Sequence, residues 1–319
     1  MSTTIWVCQT NPAHTFEEPT ADYYCPFCPP LEGILLEVIK PEQVAPVVAA
    51  GTSSQQPTPP PPPPQGREVG LCVLLMDASS SMTDPAFNGS PLTRMRLVSN
   101  SAASGIFDLE RMQNNPNAYV AGFKFDDRVE LMFMDTVANL IARFGEVRTF
   151  ANYLYEELFK MQQGTDINKA LRQAHAFVER FLKKDLTGLP FTDYQPMMQR
   201  IFKFNSIDTV SIANVRVMIY TDGMQYDTHG NRDLLPNPFK TNPLPLLNHD
   251  IVIGAFFGQA SDNGCHELQS ILSNCPIHNS PQFFLFDKPA NIGDLKYLFR
   301  MASGASGFCP RCLEKQLKR

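Results

Sequence analysis

The sequence predicts an α/β fold: a doubly wound, mainly parallel sheet preceded by a small cysteine-bearing module. Two observations carry this. From Val69 onward, short apolar runs such as "LCVLLM", "VRVMIY" and "IVIGAFF" alternate with stretches whose apolar residues recur at helical spacing. Strands separated by helices imply parallel pairing with both sheet faces covered. Ahead of them lies "PEQVAPVVAAGTSSQQPTPPPPPPQG", whose Pro, Ser and Gln cannot build a core and read as an extended, partly polyproline II linker. The 319 residues suffice for one large domain and a small accessory. The expected boundaries are 1–40 for the module, 41–66 for the linker, 67–303 for the sheet domain and 304–319 for a C-terminal tail.

Taken in order, the first strand is the run from Leu71 to Met76, which ends at Asp77. The stretch "SPLTRMRLVSNSAASGIFDLERM" reads as a helix, with Ser90 as N-cap and Pro91 at its first position. "AYVAGFKF" and "VELMFMD" flank "DDR" as a hairpin, in which Asp126 and Asp127 are turn formers. "ANYLYEELFKM" and "INKALRQAHAFVERFLKK" are helical; in the second, Ile167, Ala170, Leu171, Ala174, Phe177, Val178 and Phe181 share one face. His175 flanks that stripe and is expected to be partly exposed. "VRVMIY" is a buried strand ending in "TDG", and "IVIGAFFG", "CHELQSILSN", "QFFLF" and "NIGDLKYLFRMA" continue the alternation. Segments 186–214 and 226–248 fit no regular element and read as insertions.

Composition excludes several classes. Formal net charge is −5 with no long basic run, which argues against nucleic acid as partner, because neutralising phosphates needs a Lys/Arg footprint. No segment is apolar over the length needed to cross a bilayer, so no membrane role is expected. "MSTTIWVCQTNPAHTF" lacks the basic start and apolar core of a signal peptide, and the cytoplasm is the expected location. Of the eight cysteines, four form the pairs "CPFC" (Cys25, Cys28) and "CPRC" (Cys309, Cys312), which outside an exported chain read as metal knuckles before disulfides. Cys72, Cys265 and Cys275 read as small buried hydrophobes.

Three places carry small oxygen donors. Asp77, Ser79 and Ser81 form a D-x-S-x-S pattern after the first strand, Thr165 stands in "QQGTDINKAL" where a helix opens, and Asp222 ends a later strand. Open α/β sheets bind their ligands at the carboxyl ends of strands. Hydroxyls and carboxylates there suit Mg²⁺, Mn²⁺ or Ca²⁺. Two carboxylates would balance the ion, and neutral hydroxyls would leave it electrophilic enough to accept an outside carboxylate. Taken singly, Asp77 and Ser79 could simply cap their loop, Thr165 its helix, and Asp222 could form an ordinary turn.

"DASSS", "GTD" and "TDG", in this order and each after a suitable element, resemble the metal-ion-dependent adhesion site of von Willebrand factor A domains, over roughly Arg67 to Ser303. The resemblance implies a Rossmann-like von Willebrand A fold. It also implies that Ser79, Ser81 and Thr165 bind the metal directly or through water, as Asp77 and Asp222 do, and that a partner's Asp or Glu completes the coordination. A single such domain with cysteine knuckles also resembles the bacterial tellurium-resistance-associated (TerY-like) group. That likeness implies a non-enzymatic adaptor in a stress or phage-defence module with a protein kinase and phosphatase. The alternative is an adaptor for an AAA+ ATPase of the MoxR or chelatase kind.

In the N-terminal module, Cys8, His14, Cys25 and Cys28 are expected to form a tetrahedral zinc-ribbon-like site, since so short a segment needs a metal to fold. Cys309 and Cys312 supply half a site. They would join Cys25 and Cys28 in a Cys₄ cluster, leaving Cys8 and His14 out, or serve an external partner. A hydrolase with Ser79 or Ser81 as nucleophile, His229 as base and Asp222 as orienter is disfavoured, because no G-x-S-x-G elbow is present. His229 and Asp227 otherwise read as surface loop.

Overall fold

The computed structural model describes residues 68–112, 118–183, 211–244, 252–275, 277–288, 309 and 311, with the backbone of 5–8, 15–16 and 35–38. The chain divides into two compact units, Met1–Gly66 and Arg67–Arg319. In the first, β1 (Ile5–Cys8) lies between β2 (Thr15–Phe16) and β3 (Leu35–Val38), antiparallel to both. Cys8 closes β1 opposite Leu35. His14, Cys25, Cys28 and Cys312 lie outside the described residues, as do the expected helix at 291–302 and most of segment 186–214.

The second unit is built on six strands: β4 (Glu68–Asp77), β5 (Ala118–Phe125), β6 (Val129–Thr136), β7 (Ser211–Thr221), β8 (Val252–Phe256) and β9 (Phe283–Leu285). Their order is β6-β5-β4-β7-β8-β9. Every neighbouring pair is parallel except β5 with β6, which the "DDR" turn folds into the expected antiparallel hairpin. Because side chains alternate along a strand, β4 feeds two cores. Cys72, Leu74 and Met76 pack with α1 (Arg94–Met112), α2 (Val137–Phe144) and α3 (Val147–Phe159). Leu71, Val73 and Leu75 pack with α4 (Ile167–Leu182) and α5 (Asn263–Ile271). The apolar stripe of α4 is buried at all seven expected positions.

Several local expectations are corrected. α1 starts at Arg94, not at Pro91: Thr93 Oγ1 accepts from the Arg96 N–H (3.1 Å), while the Ser90 hydroxyl spends itself on the backbone of Leu92. α2 follows β6 directly, its start capped by Thr136, which accepts from the Asn139 N–H. β7 begins at Ser211, so residues 211–214 belong to the sheet rather than to an insertion.

The second supposed insertion is a tied arm with a helical turn at Pro238–Thr241. Asn168 on α4 holds it at two points, donating to Asp233 O (2.8 Å) and accepting from the Leu235 N–H (2.8 Å), and Leu244 reaches the core. His175 is buried, not partly exposed, because this arm covers it: its Nε2 lies 2.8 Å from Asn242 O and its ring 4.9 Å from that of Phe239.

Candidate metal centre

Counted from β4, the strand order runs 3-2-1-4-5-6, so the order reverses between β4 and β7. At such a point the connections leave in opposite directions and a crevice opens beyond the carboxyl ends of the two strands. Asp77 is the last residue of β4 and Thr221 the last of β7, with Asp222 next. The topology thus delivers the two carboxylates to the same place.

Hydrogen bonds join Asp77, Ser79, Ser81 and Asp222 into one network. The Ser79 N–H donates to Asp77 Oδ1 (2.8 Å), and Thr221 Oγ1 donates to Asp77 Oδ2 (2.5 Å). Ser79 Oγ and Ser81 Oγ lie 3.1 Å apart, and Ser81 Oγ donates to Asp222 Oδ1 (2.8 Å). Ser79 precedes the 3₁₀ turn Ser80–Thr83 but makes no side-chain capping bond to it, and its hydroxyl turns to Ser81 instead. Asp166, rather than Thr165, caps α4 through the Lys169 N–H (2.9 Å). Thr165 is instead held by a two-bond bridge to Tyr226 (both 2.9 Å). A Cβ on Gly223 would meet Thr165 Oγ1 at 3.2 Å, so this hydroxyl lies against the chain just beyond Asp222.

Glycine is required at 164, where a Cβ would stand 2.8 Å from Tyr226 O and break the bridge. Asp126, a turn former as expected, does more: its buried carboxylate accepts from the N–H groups of Arg128, Gln162 and Gln163 (2.7, 3.4 and 3.3 Å). It therefore pins the loop that presents Thr165. Burial would raise its pKa, but these bonds and Arg128 outweigh burial and hold it below the ordinary value of 3.8.

Electrostatics mark the crevice. Asp77 is fully buried, and the Asp222 side chain is too. Burial first, and the neighbouring Asp222 second, push the Asp77 carboxyl up to about 7. Burial also raises Asp222, against the pull of Arg94. Arg94, in the first turn of α1, pairs with Asp222 Oδ2 and donates to Ser81 O (3.3 Å). Sequence alone offers no sign of this partner, because an arginine opening a helix is ordinary. The donor set, two buried carboxylates and the hydroxyls of Ser79, Ser81 and Thr165, fits a hard divalent cation. A bound ion would supply an electrophilic position for an outside carboxylate.

His229 is exposed, and its backbone N–H donates to Asp227 Oδ1 (2.9 Å), a surface turn. Among the described residues, the hydrogen bonds of the Ser79 and Ser81 hydroxyls run to each other and to Asp222, with no histidine among them. Cys72 and Cys265 are buried hydrophobes as expected, and burial pushes the Cys72 thiol up to about 12. Cys275 is buried as well but lies beside His278 and Cys309, a grouping the sequence did not suggest. The signal was available: "CPIH" repeats the Cys-Pro-x spacing of "CPFC" and "CPRC" with histidine in the last place.

No family model matches the chain, and no curated protein matches it. Among solved structures, it is similar to proximal thread matrix protein 1 from the mussel byssus, with 14% identity over 74% of this chain and 45% of that one, at a TM-score of 0.40. It is also similar to a von Willebrand factor type A protein from Catenulispora acidiphila, with 13% identity over 75% and 44% of the two chains and a TM-score of 0.42. A third is the ArnB paralog VWA2 from Sulfolobus acidocaldarius, with 13% identity over 72% and 44% and a TM-score of 0.39. The chain spans less than half the length of each of these proteins.

Proposed function

We propose that the chain is a non-enzymatic, divalent-metal-dependent protein-binding module whose partner presents an Asp or Glu to the ion. The observation that carries this is the convergence of Asp77, Ser79, Ser81, Thr165 and Asp222 at the switch point between β4 and β7. These residues would hold Mg²⁺, or Mn²⁺ or Ca²⁺ in its place. Arg94 and Thr221 fix the two carboxylates, and Asp126 and Tyr226 fix the Thr165 loop. One carboxylate–metal contact is too generic to select a partner. Met224 and Tyr226, 40% and 47% exposed beside Asp222 and Thr165, offer apolar surface for the remaining fit.

At a finer level we place the module in a stress or defence signalling system beside a protein kinase and phosphatase, with a MoxR- or chelatase-type AAA+ ATPase as the alternative partner. The support is the pairing of one metal-site domain with cysteine knuckles in the sequence. The same knuckles support a cytoplasmic setting.

Titration calorimetry tests the centre: wild type binds Mg²⁺ or Mn²⁺, and Asp222→Ala loses that binding while keeping its circular dichroism spectrum. A pull-down in Mg²⁺ and in EDTA, with wild type and with Ser79→Ala plus Ser81→Ala, tests the function. The partner is expected only with wild type in Mg²⁺. Equal recovery in all four lanes would place recognition elsewhere.

A further inference from the structure

A cluster of soft ligands lies at the opposite end of the sheet from the metal centre. After α5 the chain returns to β8, where the Ser273 N–H donates to the O of Val252, the first residue of that strand (3.0 Å). The Gln282 N–H then closes back on Ser273 O (2.8 Å), so residues between them form a loop fastened at its base. Within it the Cys275 N–H donates to Ser280 O and the Asn279 N–H to Cys275 O, both 2.8 Å. Asn279 takes a left-handed conformation (φ 47°), which asparagine tolerates better than most residues. The result is a tight knuckle that places His278 Nδ1 3.8 Å from Cys275 Sγ. Cys309 comes from 31 residues further along the chain, and its Sγ lies 3.3 Å from the same nitrogen. The three ligand atoms all lie within 4.8 Å of one another, and both cysteines are fully buried.

A plain reading is two buried thiols beside a histidine, packed as hydrophobes. Geometry favours more. A tetrahedral zinc ion with usual bond lengths separates sulfur from nitrogen by about 3.6 Å and sulfur from sulfur by about 3.8 Å. The observed separations fall within a few tenths of an ångström of the first. Spacing supplies the second argument. Cys275 and His278 have two residues between them in "CPIH", and Cys309 is followed at the same spacing by Cys312 in "CPRC". Two such knuckles make a complete four-ligand structural site.

We propose that Cys275, His278 and Cys309 bind one Zn²⁺ that fastens Cys309 to the loop at the β8–β9 end of the sheet. Cys309, which the sequence left to a shared Cys₄ cluster or an outside partner, thereby finds its ligand partners within its own domain. Soft sulfur ligands and hard oxygen ligands keep the two sites chemically apart, so loss of this zinc leaves Mg²⁺ binding at the crevice in place.

The test uses the full chain purified without chelator, with zinc measured by elemental analysis. Cys275→Ser and Cys309→Ser should each lose one equivalent relative to wild type, and His278→Cys should keep it. The loss should add to that of Cys25→Ser in a double variant. Should a variant fail to fold, wild type itself answers. Replacement by Co²⁺ should give thiolate-to-metal absorption, and a zinc chelator should expose Cys275 and Cys309 together to alkylation, mapped by mass spectrometry. Unchanged zinc in Cys275→Ser and His278→Ala would overturn the proposal. So would a Cys275–Cys309 disulfide in the native chain, or alkylation of Cys309 that depends on the Cys25 site instead.

Discussion

At the scale of single residues, Arg94 alters the charge balance of the crevice. The sequence suggested an ion balanced by two carboxylates. The structure adds a guanidinium to the same group of charges. With Asp77 and Asp222 ionised, a divalent ion would leave the crevice with a net positive charge, and a partner's carboxylate would cancel it. Arg94→Gln should therefore bind Mg²⁺ roughly tenfold more tightly, since a nearby positive charge no longer opposes the ion. It should also bind the acidic partner less tightly. Calorimetry with Mg²⁺, and partner affinity at saturating Mg²⁺, measure the two effects. If both affinities fall together, Arg94 matters for holding Asp222 in position rather than for charge.

At the scale of elements, the Thr165 loop depends on a residue 39 positions earlier in the chain. Asp126 accepts three backbone N–H groups, two of them from that loop. Asp126→Ala removes the charged acceptor shared by three backbone donors, which should cost about 2 kcal/mol in urea unfolding at pH 7 and weaken Mg²⁺ binding. The folded pKa of Asp126 lies below the ordinary 3.8, so its stabilising contribution is complete above that value and lost as pH falls through the lower folded value. The gap between wild type and variant should narrow only in that acid range. A gap that closes between pH 7 and 5 would assign it to another group. What could be read from sequence follows the same division. β4, β7 and α4 were legible because their apolar runs and stripes are complete within the segment. α2 is not legible because Val137 follows β6 with no breaking residue, and only Thr136 marks the change. The burial of His175 was not readable, since it depends on the Asn242 segment folding over it. His278 is not legible from cysteine pairs, because its knuckle ends in histidine.

At the scale of the whole second unit, the parallel order of β4, β5, β7, β8 and β9 gives the sheet a direction. The oxygen-lined crevice stands at the carboxyl ends of β4 and β7, and the Cys275 knuckle is fastened to the amino end of β8. A load applied between a partner at the crevice and the zinc-held Cys309 would run along the strands. The hydrogen bonds between strands would then be strained all at once, in shear. A load from the β6 edge to the β9 edge would instead part them one after another, like a zip. Single-molecule pulling with handles at Met224 and Arg311 should thus require a clearly higher rupture force than pulling with handles at Glu130 and Lys288. Adding a zinc chelator should remove most of the difference. Equal forces along the two axes would mean that the knuckle does not carry load into the sheet. If the difference is found, the placement of the two sites makes this unit a mechanical link, strongest along the line that joins what it grips to where Cys309 is held.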